Sequence, residues 1–254
     1  MRTRRDDHIR WLRVEGARMA EAAAAAGMDA KVPTCPDWRV RDLLQHTGKV
    51  HRFAALVVSE QLPQRPRENN TRRRSGTGRT ATTNSSTGSG KGTRAHRRAE
   101  ERGPGHPVLD FSPRTLPSGV LARRQAHETT IHRIDAETAN RAPTPVSAGL
   151  AADGIDEILR NFFTSRNPVV TAEPPRTLAV RAVDTGDAWL ATIGPEGVST
   201  VRGYGTADCT VTGNASDLYA LLWNRRDPHG LTVAGDVSVL GLWRSQAHVV
   251  WPWE

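Results

Sequence analysis

The chain has 254 residues, 37% of them hydrophobic and 24% charged, with a net charge of +8 and two cysteines. That length accommodates two domains with their own cores, while Cys35 and Cys209 lie too far apart in sequence for a metal knuckle and read as reduced thiols. No stretch approaches the roughly 18 apolar residues of a membrane span, and the opening MRTRRDDHIRWLR carries charge where a secretory leader needs an apolar centre, so a cytoplasmic protein is expected.

Residues 7–27 are alanine-rich, with Ile9, Leu12, Met19, Ala22 and Ala23 near helical spacing, and form the first predicted helix. Pro36 and Asp37 read as the start signal of a second, over about 38–61, whose apolar stripe runs through Val40, Leu43, Leu44, Val50, Ala54 and Val57. From Pro63 to Pro107 there is no Val, Leu, Ile, Met, Phe, Trp or Tyr. Such a segment cannot bury enough apolar surface to offset the entropy of ordering, and it is expected to be disordered. Within it, residues 65–104 hold ten arginines and one lysine against three glutamates, an excess equal to the net charge of the whole chain. The remainder is therefore neutral. Three readings of the segment stand. It is a solvated insertion, which the lack of interleaved stacking aromatics favours; or a basic arm for DNA, RNA or another polyanion, with arginines 72–74 and 97–98 against phosphates; or a stretch translated out of frame from GC-rich codons.

Pro113 and Pro117 keep the next residues irregular, and a third helix is predicted over about 118–140, packing with the others as a bundle. Beyond Pro143 the period changes. Residues 146–164 look helical, then RTLAVRAVDTGDAWLATIG and GVSTVRGYGTADCTVTG alternate apolar and polar residues between turn signals, which predicts an antiparallel meander. NASDLYALLWNRR reads as a helix capped by Asn214 or Ser216, and the chain closes with a short strand, a short helix and a last strand. The predicted fold class is α+β in two domains. A helical bundle at 1–142 is interrupted at 63–107, and an α+β domain at 143–254 carries its helices on one face of the sheet. Trp38, Trp223, Trp243, Trp251 and Trp253 are assigned to the core or to domain contacts.

On the third helix, ARRQAHETTIHRID places Gln125, Glu128, His132 and Asp135 at spacings of three, four and three, hence on one face, while His127 points elsewhere. The two histidines are five apart, so this is not the HExxH arrangement. Glu128 and His132 still offer a carboxylate oxygen and an imidazole nitrogen one turn apart. Such a pair suits zinc when another helix adds a third ligand, with Asp135 orienting His132 from behind. Taken alone, a solvated Glu–His pair is the simpler reading. The second helix carries two candidates for the third ligand, and periodicity favours His51, mid-stripe, over His46 at the stripe's edge.

PTCPDWRVRDLLQHTGKVHR, ARRQAHETTIHRIDAE and ASDLYALLWNRR, in that order, resemble the maleylpyruvate isomerase family of mycothiol-dependent enzymes, over roughly 1–62 and 109–254. The resemblance implies a DinB-like metal-binding bundle followed by a smaller α/β, sterol-carrier-like domain. It implies a divalent metal, usually zinc, on a histidine of the second helix and an E-x-x-x-H pair on a later one, which here are His46, Glu128 and His132. His46 is preferred to His51 because the family's ligand follows a P-x-W turn at the spacing that separates His46 from Trp38. Mycothiol is the implied cofactor, its thiol taking the open position on the metal and losing its proton there. The implied reaction is a cis–trans isomerisation or a thiol transfer on a small electrophile, carried out by a monomer. Gln125 and Asp135 would support the ligands, and Arg123 and Arg124 would bind carboxylates of thiol or substrate or else stand as solvated helix charges. Where relatives carry another amphipathic bundle helix, this chain has the apolar-free segment 63–107, which leaves neighbouring apolar faces to be covered otherwise. Two competing readings stay open on that account: an inactive or frame-disrupted family member, and polyanion binding.

Overall fold

The structure, a computed structural model, describes residues 5–59, 118–140, 142–164 and 169–248. The segment 63–107 with its expected disorder, Trp251, Trp253 and the expected last strand lie outside the described residues.

The chain is laid out as an N-terminal helical part and a C-terminal mixed sheet with helices. Helix α1 (Arg5–Ala26) stops at Gly27, which takes a φ of 84° and donates its N–H to the Ala23 carbonyl at 3.0 Å. A tight loop follows, closed by Val32 N–H on the Trp38 carbonyl at 3.0 Å and Trp38 N–H on the Cys35 carbonyl at 2.8 Å. Helix α2 (Val40–Ser59) begins only after it, so Pro36 and Asp37 belong to the loop and not to the helix start. Asp42 supplies the cap, its carboxylate accepting from the Arg39 N–H at 2.9 Å, the half of a capping box that reaches back. Helix α3 (Ser118–Thr138) comes next, then α4 (Ala148–Glu157), which runs on through one wider π turn at Ile158–Phe162.

Five strands follow: β1 (Arg176–Ala182), β2 (Ala188–Gly194), β3 (Gly197–Arg202), β4 (Cys209–Gly213) and β5 (Thr232–Gly235), with α5 (Ala215–Leu222) before β5 and α6 (Val237–Gln246) after it. Their order in the sheet is β3-β2-β1-β4-β5. The first three form the expected antiparallel meander, but β4 does not extend it. It pairs with the far side of β1 in parallel, Leu178 opposite Cys209 and Val180 opposite Val211. The glycines after β3 look like turn chemistry, yet residues 203–208 cross the sheet face that carries Arg181 and Leu190. Gly205 passes so close that a Cβ there would stand 2.7 Å from the Leu190 side chain, and its carbonyl accepts from Arg181 at 3.2 Å. Asp208 then catches the Thr177 N–H at 2.7 Å and delivers the chain to β4.

The opposite sheet face carries Leu178, Val180, Trp189, Ala191, Ile193 and Val211, packed on Leu150 and Ile155 of α4, Leu159 of the π turn, Leu218 and Leu221 of α5, and Trp243 of α6. The helices cover this one face. At Gly154 a Cβ would stand 2.3 Å from the Tyr219 ring, so glycine is what lets α4 and α5 approach. Asn214 stands at the N-cap of α5 without a side-chain cap bond, while the Ser216 hydroxyl accepts the Val146 N–H at 2.9 Å.

Helix α3 belongs to both parts. Ile131 and Ile134 join the core under the sheet, and Ala136 packs with Met19, Ala23, Val40 and Leu43 between α1 and α2. Every residue from Gln125 to Glu137 is buried, and nine of them are polar or charged, so each needs a partner. Arg133 shows how this is met: it donates to Glu15 at 2.8 Å, to Glu137 at 2.7 Å and to the Thr144 carbonyl at 2.6 Å. No helix among the described residues is long and apolar enough to cross a membrane. Cys35 and Cys209 are not joined in a disulfide.

Candidate metal centre

Helices α2 and α3 meet so that His46 Nε2 lies 3.3 Å and His132 Nε2 lies 3.1 Å from the same oxygen, Glu128 Oε1. All three side chains are buried, and each offers one ligand atom within 4.8 Å of the other two. Two imidazole nitrogens and one carboxylate oxygen facing a common point are a donor set for a borderline divalent cation such as zinc. His51 is turned away from this point and donates to the Thr129 hydroxyl at 2.8 Å. Burial lowers its pKa, with the Glu128 charge pulling the other way. The edge of the α2 stripe therefore faces the centre and its middle does not.

A second ring of side chains fixes the first. Asp135 Oδ2 accepts from His132 Nδ1 at 2.9 Å, and Asp135 is itself gripped by Arg225, Nε to Oδ1 at 2.8 Å and Nη2 to Oδ2 at 3.0 Å, and by the Thr34 hydroxyl at 2.6 Å. Arg124 donates to Glu128 Oε2 at 3.0 Å and to Glu157 at 2.5 Å, so one carboxylate oxygen of Glu128 is held while the other faces the histidines. Arg123 turns toward α4, where it donates to Asp153 at 2.9 Å and Asp156 at 3.3 Å. Gln125 is buried on α3, and its side-chain oxygen has no hydrogen-bond partner among the described residues.

These contacts decide the charges. Burial opposes ionisation of Glu128, but hydrogen bonds from His132 and His46 and the charge of Arg124 outweigh it and hold the carboxyl well below its usual range. Burial likewise opposes a charged His132, yet Asp135 and Glu128 push its pKa up to about 9. For Asp135, burial is overcome by the Arg225 guanidinium and by His132, which keep it ionised. A cation entering at Glu128 would take the place of ring protons and release them.

A cavity of about 220 Å³ opens over Glu128 and His132, walled by Thr34, Cys35, Trp38, Arg124, Trp223 and Arg225 among others. Arg124 also lies over the rings of Phe162 and Trp223, 4.8 and 5.4 Å from their centroids. Trp38 and Trp223, assigned from sequence to the core or to domain contacts, pack against the cores and also border the cavity. Sequence reasoning missed Arg225, Cys35 and Glu157 altogether. The arginine pair ending ASDLYALLWNRR was the one available signal, since paired cations past a helix end have carbonyls or carboxylates to meet.

The family model described as the mycothiol maleylpyruvate isomerase N-terminal domain matches residues 9–137, and that described as the MDMPI C-terminal domain matches residues 149–242. No curated protein matches the chain. Among solved structures, a UbiJ-SCP2 ubiquinone synthesis protein is similar with 24% identity and a TM-score of 0.30, over 39% of this chain and 94% of its own. The stereoselective inverting sec-alkylsulfatase Pisa1 from Pseudomonas sp. is similar with 16% identity and a TM-score of 0.31, over 55% of this chain and 25% of its own. At such TM-scores neither likeness bears on fold or function.

Proposed function

Because the chain belongs to the mycothiol maleylpyruvate isomerase family, we propose that it is a metal- and mycothiol-dependent enzyme that isomerises, or transfers a thiol to, a small electrophilic substrate. The observation that carries this reading is the convergence of His46, Glu128 and His132 beside the cavity, three buried donors of the kind zinc prefers. Zinc and the mycothiol sulfur, when bound, supply a nucleophilic thiolate at neutral pH.

The chain's own residues prepare the site for that chemistry. Asp135 holds the Nδ1 proton of His132 and so leaves its Nε2 lone pair for the cation, while Arg225 keeps Asp135 ionised. Arg124 holds the outer oxygen of Glu128. Arg124 and Arg225 both line the cavity, where their N–H groups suit a carboxylate of thiol or substrate. Arg123 turns toward α4 and does not line the cavity, and is left out of that role. In this reading 1–142 form the DinB-like metal-binding part and 143–254 the sterol-carrier-like part of a cytoplasmic monomer.

The test is zinc content by mass spectrometry in the parent chain and in His132→Ala, followed by cis–trans conversion of maleylpyruvate with and without mycothiol. The variant is expected to hold one zinc equivalent fewer and to lose thiol-dependent turnover. Equal zinc in the two proteins would overturn the reading.

A further inference from the structure

His127 precedes Glu128 by one residue and faces another side of α3, toward α1 and α4. There its Nε2 lies 2.9 Å from Asp153 Oδ2, and the Nε2 of His8, from α1, lies 2.9 Å from the same oxygen. The donor set repeats that of the first centre, two imidazole nitrogens and one carboxylate oxygen within 4.8 Å of one another. His8 is 5% exposed and His127 fully buried. None of the three borders the cavity over Glu128 and His132. We propose that His8, His127 and Asp153 form a second binding site, for a first-row divalent cation of the zinc class, that pins α1, α3 and α4 together.

A plain hydrogen-bonded clamp accounts poorly for the arrangement. Arg123 Nε also donates to Asp153 Oδ2 at 2.9 Å, so three donors crowd one oxygen of a half-buried carboxylate, more than its two lone pairs accept. His8 Nδ1 is buried without a partner among the described residues, so hydrogen bonding there leaves that ring half satisfied. What the two rings share is the direction of their Nε2 atoms. Outer support is in place as well: the Tyr219 hydroxyl lies 3.3 Å from His127 Nδ1, and Arg123 steadies the carboxylate. Set apart from the cavity, the site is structural and does not take part in turnover.

Zinc counting on the full-length chain, loaded with Zn²⁺ and desalted, separates this site from the first. The parent is expected to hold two equivalents. His8→Phe, which keeps an aromatic ring where that of His8 lies 5.6 Å from Trp11, and Asp153→Asn should each hold one. Glu128→Ala should also hold one, and Glu128→Ala combined with Asp153→Asn none. Zinc unchanged in both His8→Phe and Asp153→Asn overturns the second site whatever Glu128→Ala does. Zinc unchanged in Glu128→Ala, but reduced in the other two, sinks the first centre and leaves this one standing. If the Asp153 and His8 variants lose their melting transition, Co²⁺ titration of Glu128→Ala decides: one saturable equivalent supports the site and none overturns it.

Discussion

Under the sheet the interior is made of Leu178, Val180, Trp189 and Ile193; around α3 it is made of Glu15, His46, Glu128, His132, Arg133, Asp135 and Glu137, scarcely more exposed. Apolar packing has no direction, so the first interior is specified by volume and tolerates changes that conserve it. The second is specified atom by atom. Each charge there has a partner, and removing one partner strands the other in a place water does not reach. A protein that needs three ligand atoms at one point gains from the second kind of interior, because rotamers held by hydrogen bonds do not drift.

The comparison is tested hardest by Arg133→Met against Leu178→Met. Loss of the guanidinium removes the buried cation that Glu15 and Glu137 share, with Arg18 remaining 3.4 Å from Glu15, and should cost about 3–5 kcal/mol in urea unfolding. The leucine exchange conserves volume and should cost less than about 1.5 kcal/mol. Similar losses would erase the distinction. Within the α3 interior, Asp135→Asn weakens the support of His132 without removing a ligand, and zinc affinity measured by chelator competition should fall about 10–100-fold. Unchanged affinity would mean that His132 keeps its orientation unaided.

The last effect is one of pH. His132 titrates at about 9 in the fold against an ordinary value of 6.5, a raised pKa, so its protonated ring stabilises the zinc-free chain. That contribution is fully present below pH 6.5 and is lost as pH rises toward about 9. Urea midpoints of chelator-treated protein should decline across this window, and the decline should be missing in His132→Gln. Zinc affinity should run the other way over the same range, because the cation displaces the proton. A flat midpoint profile in the parent would argue against the charged ring.

What a sequence reveals differs between the two interiors for the same reason. Alternation announces an apolar sheet face, so β1, β2 and β3 were legible, as were three helices to within a few residues at their ends. The placement of β4 was not, because glycines that permit a hairpin turn permit a close crossing equally well, and only the contact of Gly205 with Leu190 separates the two. On α3 the spacing of Glu128 and His132 announced a shared face. Periodicity favoured His51 over His46, since it ranks residues by the oiliness of their surroundings, whereas His46 is the more buried of the two and sits in a polar interior. Arg225, Glu157 and Asp153 were invisible as partners because each reaches α3 from a distant element. Arg225 and Asp135, for example, are 90 residues apart.

The pairing of Glu15 with Arg133 spans 118 residues. During synthesis at about 5–20 residues per second, the first helix emerges on the order of ten seconds before the arginine that neutralises its glutamate has been made. Helix α1 thus waits, its contacts with α3 unmet, for a partner encoded far downstream. Its docking is a late event in the life of the nascent chain, governed by how long the helix can remain unaccompanied without finding another surface.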